Sequence, residues 1–244
     1  MDDSPLPPGN FPSTRWSLVI NAGADSPTLA GAALEALCRR YWYPLYSYVR
    51  RTGRSHHEAQ DCTQEFLARL LASDGLLRAR PERGRFRTFL LTSLGNFLIN
   101  EWHRAQAAKR GGGAPQVSLD LPPDAAERFA GEPVDPGLTP EQAFDRAWAY
   151  SVLDSVVTAL GAEYEKSGRG PLFAALRPLV WGDEGEATHA ILAMRLGMNT
   201  HAFTVALQRL RRRLTDRLRE EVAQTVADPA ETDAELRHLL GAVR

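Results

Sequence analysis

Residues 109–140, KRGGGAPQVSLDLPPDAAERFAGEPVDPGLTP, decide how the rest of the chain can fold. Glycine, proline and acidic side chains dominate this stretch, and such a composition cannot bury enough apolar surface to offset the entropy of ordering it. It reads as an extended linker, so a chain of 244 residues must build a core on each side of it, and each flank is long enough to do so. On both sides strand signals are scarce and apolar residues recur at helical spacing, which makes the expected fold class all-α. The expectation is two small helical domains joined by an acidic Pro/Gly-rich linker. The boundaries fall at 13–108 for the first domain, 109–138 for the linker and 139–222 for the second domain, with an acidic C-terminal extension over 223–244.

Local signals divide each flank further. A first long helix covers about 28–52, with Leu34, Leu37, Tyr41, Leu45, Tyr48 and Val49 on one face and Gly53 as its stop. Ser55 and Glu58 form a capping box that opens a second helix, which carries Phe66, Leu67, Leu70 and Leu71 inward. A third helix runs from about 85 to 107. Beyond the linker, Thr139-Pro140-Glu141-Gln142 places a cap, an N1 proline and an N3 glutamine in their preferred order. Phe144, Trp148, Val152, Val156 and Leu160 then continue as a core stripe to about Lys166, and a shorter helix covers 171–181.

The charge balance, 29 basic against 30 acidic residues, would argue against nucleic acid if it were evenly spread. It is strongly segregated. Residues 78–110 hold eight basic side chains against two acidic ones, 111–145 hold one against seven, and 186–219 hold seven against two. Two basic blocks therefore flank an acidic one, and basic blocks on separate modules are what phosphate contact requires.

Each basic block contains a helix with two distinct faces. In the first, Phe86, Phe89, Leu90, Leu91, Leu94, Phe97 and Leu98 point one way, with Trp102 at the edge, and Thr88, Thr92, Asn96, Asn100 and His103 point the other. An uncharged face of this kind can hydrogen-bond unstacked bases while Arg83, Arg85 and Arg87 track phosphates. The same residues are also ordinary solvent-facing groups over a phenylalanine core. In the second block, residues 187–214 have the pattern of a helix-turn-helix. Ala193 is small where two helices would touch, Gly197 suits the turn and Asn199 suits the cap. Ala202, Phe203, Ala206, Leu207, Leu210 and Leu214 form the inner stripe, and Thr200, His201, Thr204, Gln208, Arg211 and Arg212 the outer one. That outer face fits a major groove and equally fits the solvated side of an amphipathic helix.

Other chemistry has little to stand on. Cys38 and Cys62 have no metal or redox spacing and read as free thiols, and His56-His57 with Cys62 is a poor zinc set. The acidic, proline-rich start MDDSPLPPG is not a signal peptide, and no apolar run reaches the roughly 18 residues of a membrane span, so a soluble, cytoplasmic protein without membrane insertion is expected.

With these residues in place, a family resemblance emerges. FRTFLLTSLGNFLIN resembles the segment of bacterial extracytoplasmic-function sigma factors, in the sigma-70 family, that melts DNA and reads the upstream hexamer; Phe86, Arg87, Phe89, Leu90 and Asn96 carry the match, with Phe89 where the family has Trp. EAQDCTQEFLARLL resembles the family segment that docks on core RNA polymerase, with Asp61, Gln64 and Glu65 at its signature positions. LGMNTHAFTVALQRLRRRL is similar to its minus thirty-five helix-turn-helix, although Thr204 replaces a family Lys and residues 161–186 depart from the common pattern. The resemblance spans roughly 13–222, and FPSTRWSLV and LCRRYWYPLYSYVRR are similar to a subgroup with a C-terminal extension.

The resemblance implies a sigma2-like domain, a sigma4-like domain and no catalytic residue, cofactor or metal. Asp61, Gln64 and Glu65 would dock on the clamp helices of the polymerase beta-prime subunit, and the second domain on the beta flap. Arg83, Arg85, Arg87, Asn96 and Asn100 would hold the melted element, with a base pocket in the loop from about 76 to 88. Thr200, His201, Thr204, Gln208, Arg211 and Arg212 would read the upstream duplex. Promoter DNA and core polymerase are thus the expected partners, with room for an anti-sigma factor or other regulator. Two other classes remain as alternatives: a helix-turn-helix regulator that binds duplex DNA without polymerase, and a DNA-processing enzyme. The extension carries Pro229 as a break and an apolar edge of Leu236, Leu239 and Leu240, which fits either a helix packed on the second domain or an acidic arm over the recognition surface. Thr63 is a candidate phosphorylation position within the clamp segment.

Overall fold

A computed structural model describes residues 27–72, 85–108, 137–182, 185–226 and 228–243. Among them all regular structure is helical, as expected: α1 Pro27–Arg51, α2 His56–Ala72, α3 Phe86–Ala108, α4 Pro140–Lys166, α5 Gly170–Leu176, α6 Glu186–Arg195, α7 Thr200–Ala223 and α8 Thr232–Ala242. Short 3-10 turns at Arg177–Leu179 and Pro229–Glu231 follow α5 and precede α8. The linker stretch 109–136, the loop residues 73–84 with Arg83, and residues 13–26 lie outside the described residues.

The described residues group into two compact units, and the division falls within α4 rather than before it. The first takes in everything up to Trp148 together with Gln224–Glu231; the second takes in Ala149–Ala223 and the residues from Thr232 on.

In the first unit, helix ends sit where local chemistry places them. α1 stops against Gly53, whose φ of +90° is open to glycine and costly for other residues. The capping box is closed: the Glu58 carboxylate accepts from the Ser55 amide at 2.8 Å, and Ser55 Oγ accepts from the Glu58 amide at 3.3 Å. These two bonds to the ionised form hold the Glu58 carboxyl below its ordinary pKa. α1 continues through Pro44, which has no N–H to offer the preceding turn.

The core is the predicted stripe, widened. Leu37, Tyr41, Leu45 and Val49 of α1, Phe66, Leu67 and Leu70 of α2, and Phe86, Leu90, Leu94 and Phe97 of α3 are buried, joined by Cys38, Trp42 and Tyr46. Leu34 and Leu71, expected in the same stripes, lie outside the residues whose side chains are described. Phe86 meets Tyr41 edge-on at 5.3 Å and Phe66 meets Phe97 at 5.5 Å, so these α3 rings belong to the core and not to a stacking surface. Burial raises the thiol pKa of both Cys38 and Cys62 to about 11, which leaves them protonated and inert at neutral pH.

The start of α4 belongs to this unit too. Its box closes between Thr139 and Gln142, the Thr139 amide donating to Gln142 Oε1 at 2.8 Å and the Gln142 amide to Thr139 Oγ1 at 3.2 Å. Phe144 and Trp148 are fully buried.

In the second unit, Val152, Val156 and Leu160 of α4 join Leu176, Leu179, Phe203, Leu207, Leu210 and Leu214 in the core. α6 and α7 form the expected helix-turn-helix. Gly197 takes φ +67°, Asn199 Oδ1 accepts from the Ala202 amide at 2.7 Å, and Ala193 is buried at the crossing. Arginines lace α7 to α4: Glu163 accepts from Arg213 and from Arg217, the latter at 3.1 Å, while Arg213 and Arg169 both lie over the Tyr164 ring. α8 packs on α7, burying Leu236 and Leu239, and Arg219 pairs with Asp233 at 3.0 Å.

Candidate nucleic-acid interface

Three groups of side chains meet solvent where the sequence analysis places a functional surface. On α2, Asp61 is exposed, and Gln64 and Glu65, one helical turn on, are half-buried. Glu65 is already engaged: Arg69 donates to it, and the same guanidinium donates to Glu101 of α3 at 2.8 Å and lies 5.1 Å over the Phe97 ring. Glu65 thus helps brace α2 against α3, while Asp61 keeps its carboxylate outward. Thr63, in contrast, is fully buried, and its hydroxyl donates to the Ala59 carbonyl at 2.7 Å. A kinase has no access to it in the folded helix, so phosphorylation there does not fit this structure.

On α3, Thr88, Thr92, Asn96, Asn100 and His103 are all exposed, while the opposite side of the helix is core. At spacings of three and four residues they form one continuous strip. The strip carries amides and hydroxyls with no fixed charge apart from a histidine at one end, which is the chemistry for donor and acceptor groups on unstacked bases. Beside its C-terminal end is a cleft of about 680 Å³ lined by Thr52, Arg54, Glu58, Ile99, Trp102 and His103. Trp102 and Ile99 are each 56% exposed there, and Trp102 meets His103 edge-on at 5.0 Å.

The arginines at the start of α3 have anionic partners. Arg87 pairs with Asp145 at 2.7 Å, with side chains only 13% and 15% exposed, and Arg85 meets Glu231 at 3.4 Å. Asp145 and Glu231 were not foreseen as neighbours of these arginines.

On α7, His201, Gln208 and Arg212 are exposed, the last with 86% of its side chain open to solvent. Thr200 is half-buried. Two predicted contact residues turn inward instead. Thr204 donates its hydroxyl to the Thr200 carbonyl at 3.1 Å and lies 3.5 Å from His189 of α6, itself buried. Arg211 donates to the carbonyls of Leu179, at 2.8 Å, and Gly182, and so closes the end of the 3-10 turn after α5. Thr204 and Arg211 therefore brace the unit, and the open surface of α7 is narrower than its wheel implies. α8 leaves that open surface uncovered, since it lies on the C-terminal half of α7.

Among the described residues no three His, Cys, Asp or Glu side chains come together as a metal site, and no helix is long and apolar enough to cross a membrane. No curated protein and no solved structure was found to match the chain. A family model does match part of it: residues 37–108, which take in most of α1 and all of α2 and α3, carry a Sigma-70 region 2 domain.

Proposed function

We propose that the chain is a sigma factor of the extracytoplasmic-function type with a C-terminal extension. It is a dissociable subunit that binds core RNA polymerase in the cytoplasm, brings it to a promoter and helps open the DNA. The observation that carries this reading is that the Sigma-70 region 2 match takes in both the exposed Asp61 edge of α2 and the whole uncharged strip of α3. Asp61, Gln64 and Glu65 dock on the clamp helices through charge-assisted contacts. Asn96 and Asn100 take hydrogen bonds from bases drawn out of the stack, a step that costs a few kcal/mol and is recovered by such contacts. Arg83, Arg85 and Arg87 hold the adjoining phosphates. The exposed part of α7 reads duplex DNA upstream, with His201 and Gln208 toward base edges and Arg212 toward the backbone, while its unit engages the beta flap. In this reading the protein has no catalytic residue and needs no cofactor, and an anti-sigma factor or other regulator is its remaining class of partner.

Transcription in vitro with core polymerase on genomic fragments tests the proposal: start sites that depend on the protein support it, and their absence defeats it. A gel shift without polymerase addresses the helix-turn-helix regulator, because tight sequence-specific binding by the free chain would favour that alternative. Asn96→Ala should slow promoter opening about tenfold, as expected for a hydrogen bond lost from the open state, and leave polymerase binding intact. Substituting Asp61 and Gln64 together should do the reverse. Identical effects from both would refute the division of labour between α2 and α3.

A further inference from the structure

Two arginines assigned above to phosphates already hold carboxylates in the first unit, and both carboxylates come from far along the chain. Arg87 Nη1 donates to Asp145 Oδ1 at 2.7 Å, and Arg85 Nη2 meets Glu231 Oε2 at 3.4 Å. The stretch that carries Asp145 is tied down at two more points: Arg51 Nε donates to the Leu138 carbonyl at 2.7 Å, and the Tyr48 hydroxyl to Glu141 at 3.4 Å. Phe144, one residue before Asp145, is fully buried.

A carboxylate and a phosphate compete for the same planar donor fork on arginine. Exposure separates the two pairs. Arg85 and Glu231 are 31% and 52% exposed, so that pair is screened and weak. Arg87 and Asp145, at 13% and 15%, leave no room for a nucleic-acid backbone unless the start of α4 moves aside. The remaining ties on 137–148 are one backbone carbonyl and one long hydroxyl contact, which can be exchanged for water.

We propose that residues 137–148, with Glu231 beside them, form an intramolecular latch over the N-terminal end of α3. Asp145 and Glu231 stand in for phosphates and hold Arg87 and Arg85 until nucleic acid displaces them. The latch lowers the affinity of the free chain for single-stranded DNA, and its release exposes two cations next to the Asn96 strip. This inference rests on the reading of α3 as the DNA-facing helix.

Anisotropy of a labelled single-stranded oligonucleotide, titrated with the full chain at several salt concentrations, tests it. Asp145→Asn keeps the size of the side chain and removes its charge; it should bind about fivefold tighter, with a salt slope steeper by about 0.7 for one released phosphate contact. Glu231→Gln should shift affinity in the same direction by about twofold, as a more exposed pair would. Asp145→Glu should restore wild-type behaviour, and Arg87→Ala combined with Asp145→Asn should abolish the gain. If folded Asp145→Asn shows no gain in affinity or slope, or if neither form binds, the latch is overturned and the pair is a permanent brace. If Asp145→Asn does not fold, hydrogen exchange on the wild-type chain decides: saturating oligonucleotide should speed exchange of the amides of 143–148 at least tenfold, and unchanged protection overturns the proposal. Transcription with core polymerase by the wild-type chain separates the two failures. Its loss sinks the sigma-factor reading, whereas intact transcription with an unaltered Asp145→Asn titration sinks the latch alone.

Discussion

α3 and α7 are both amphipathic helices with a buried apolar stripe and a polar outer face, yet they spend their arginines differently. Along α3 the outer strip is Thr88, Thr92, Asn96, Asn100 and His103, and the arginines stand at its N-terminal end, each already facing a carboxylate. Along α7 the arginines lie within the helix, and most of them work for the fold: Arg211 on backbone carbonyls, Arg213 and Arg217 on Glu163. Arg212 is the one left largely to solvent among these four. The contrast shows that a count of basic residues says little about binding. What matters is whether the folded chain has already used each cation, and α3 holds its own in exchangeable pairs while α7 has built its own into its core.

The comparison can be broken at several depths. The largest effects should come from the undersides: Leu94→Ala in α3 and Leu210→Ala in α7 each empty a fully buried site and should cost about 2–5 kcal/mol in urea unfolding. If the two units unfold independently, each change will move one transition and spare the other. Next, Arg211→Ala should destabilise by about 1–3 kcal/mol because two carbonyls lose their donor. Arg212→Ala should stay within about 0.5 kcal/mol of wild type in the same assay. Its effect should appear in duplex binding, as a salt slope shallower by about 0.9. Equal stability losses for the two arginines would erase the distinction drawn here.

Alkaline pH gives a further separation, because both thiols lie in the first unit. Their folded pKa is raised above the ordinary value of 9.0 to about 11 by burial, so the protonated form is favoured in the folded state. The associated stability is complete below about pH 9 and is lost as pH climbs toward 11. Tyr46 and Tyr48, also raised chiefly by burial, act in the same direction. The first unit's transition should therefore fall on titration to pH 10.5, and replacing both cysteines by alanine should flatten that fall. The smallest effect belongs to Asn199→Ala, which removes the α7 cap for about 1 kcal/mol. A change below about 0.3 kcal/mol there would mean that packing alone sets the start of the helix.

Much of the fold was legible because its punctuation is local. Gly53, the Ser55/Glu58 and Thr139/Gln142 boxes, Gly197 and Asn199 each declare themselves within four residues, and each does in the structure what its residue type requires. The apolar stripes followed from the helical period. The partners of the arginines were not legible. Arg87 reaches Asp145 across 58 positions, Arg211 reaches Leu179 across 32, and Arg213 reaches Glu163 across 50. No local pattern records such pairings, because a guanidinium accepts any carboxylate or carbonyl that tertiary packing brings near. Thr204 failed for a subtler reason: it lies on the polar side of the wheel, but at the edge that α6 covers with His189.

The outer strip of α3 has one more property. Its threonines and asparagines are exposed, and the helix beneath them is held by leucines and phenylalanines on the other side. Substitutions on such a surface change stability by no more than about 0.5 kcal/mol in either direction. Recognition there can drift, letter by letter, without the chain ever passing through an unfolded ancestor. The same freedom lets an experimenter randomise Thr88, Thr92, Asn96 and Asn100 together and select for new sequence preferences, with foldedness left out of the selection.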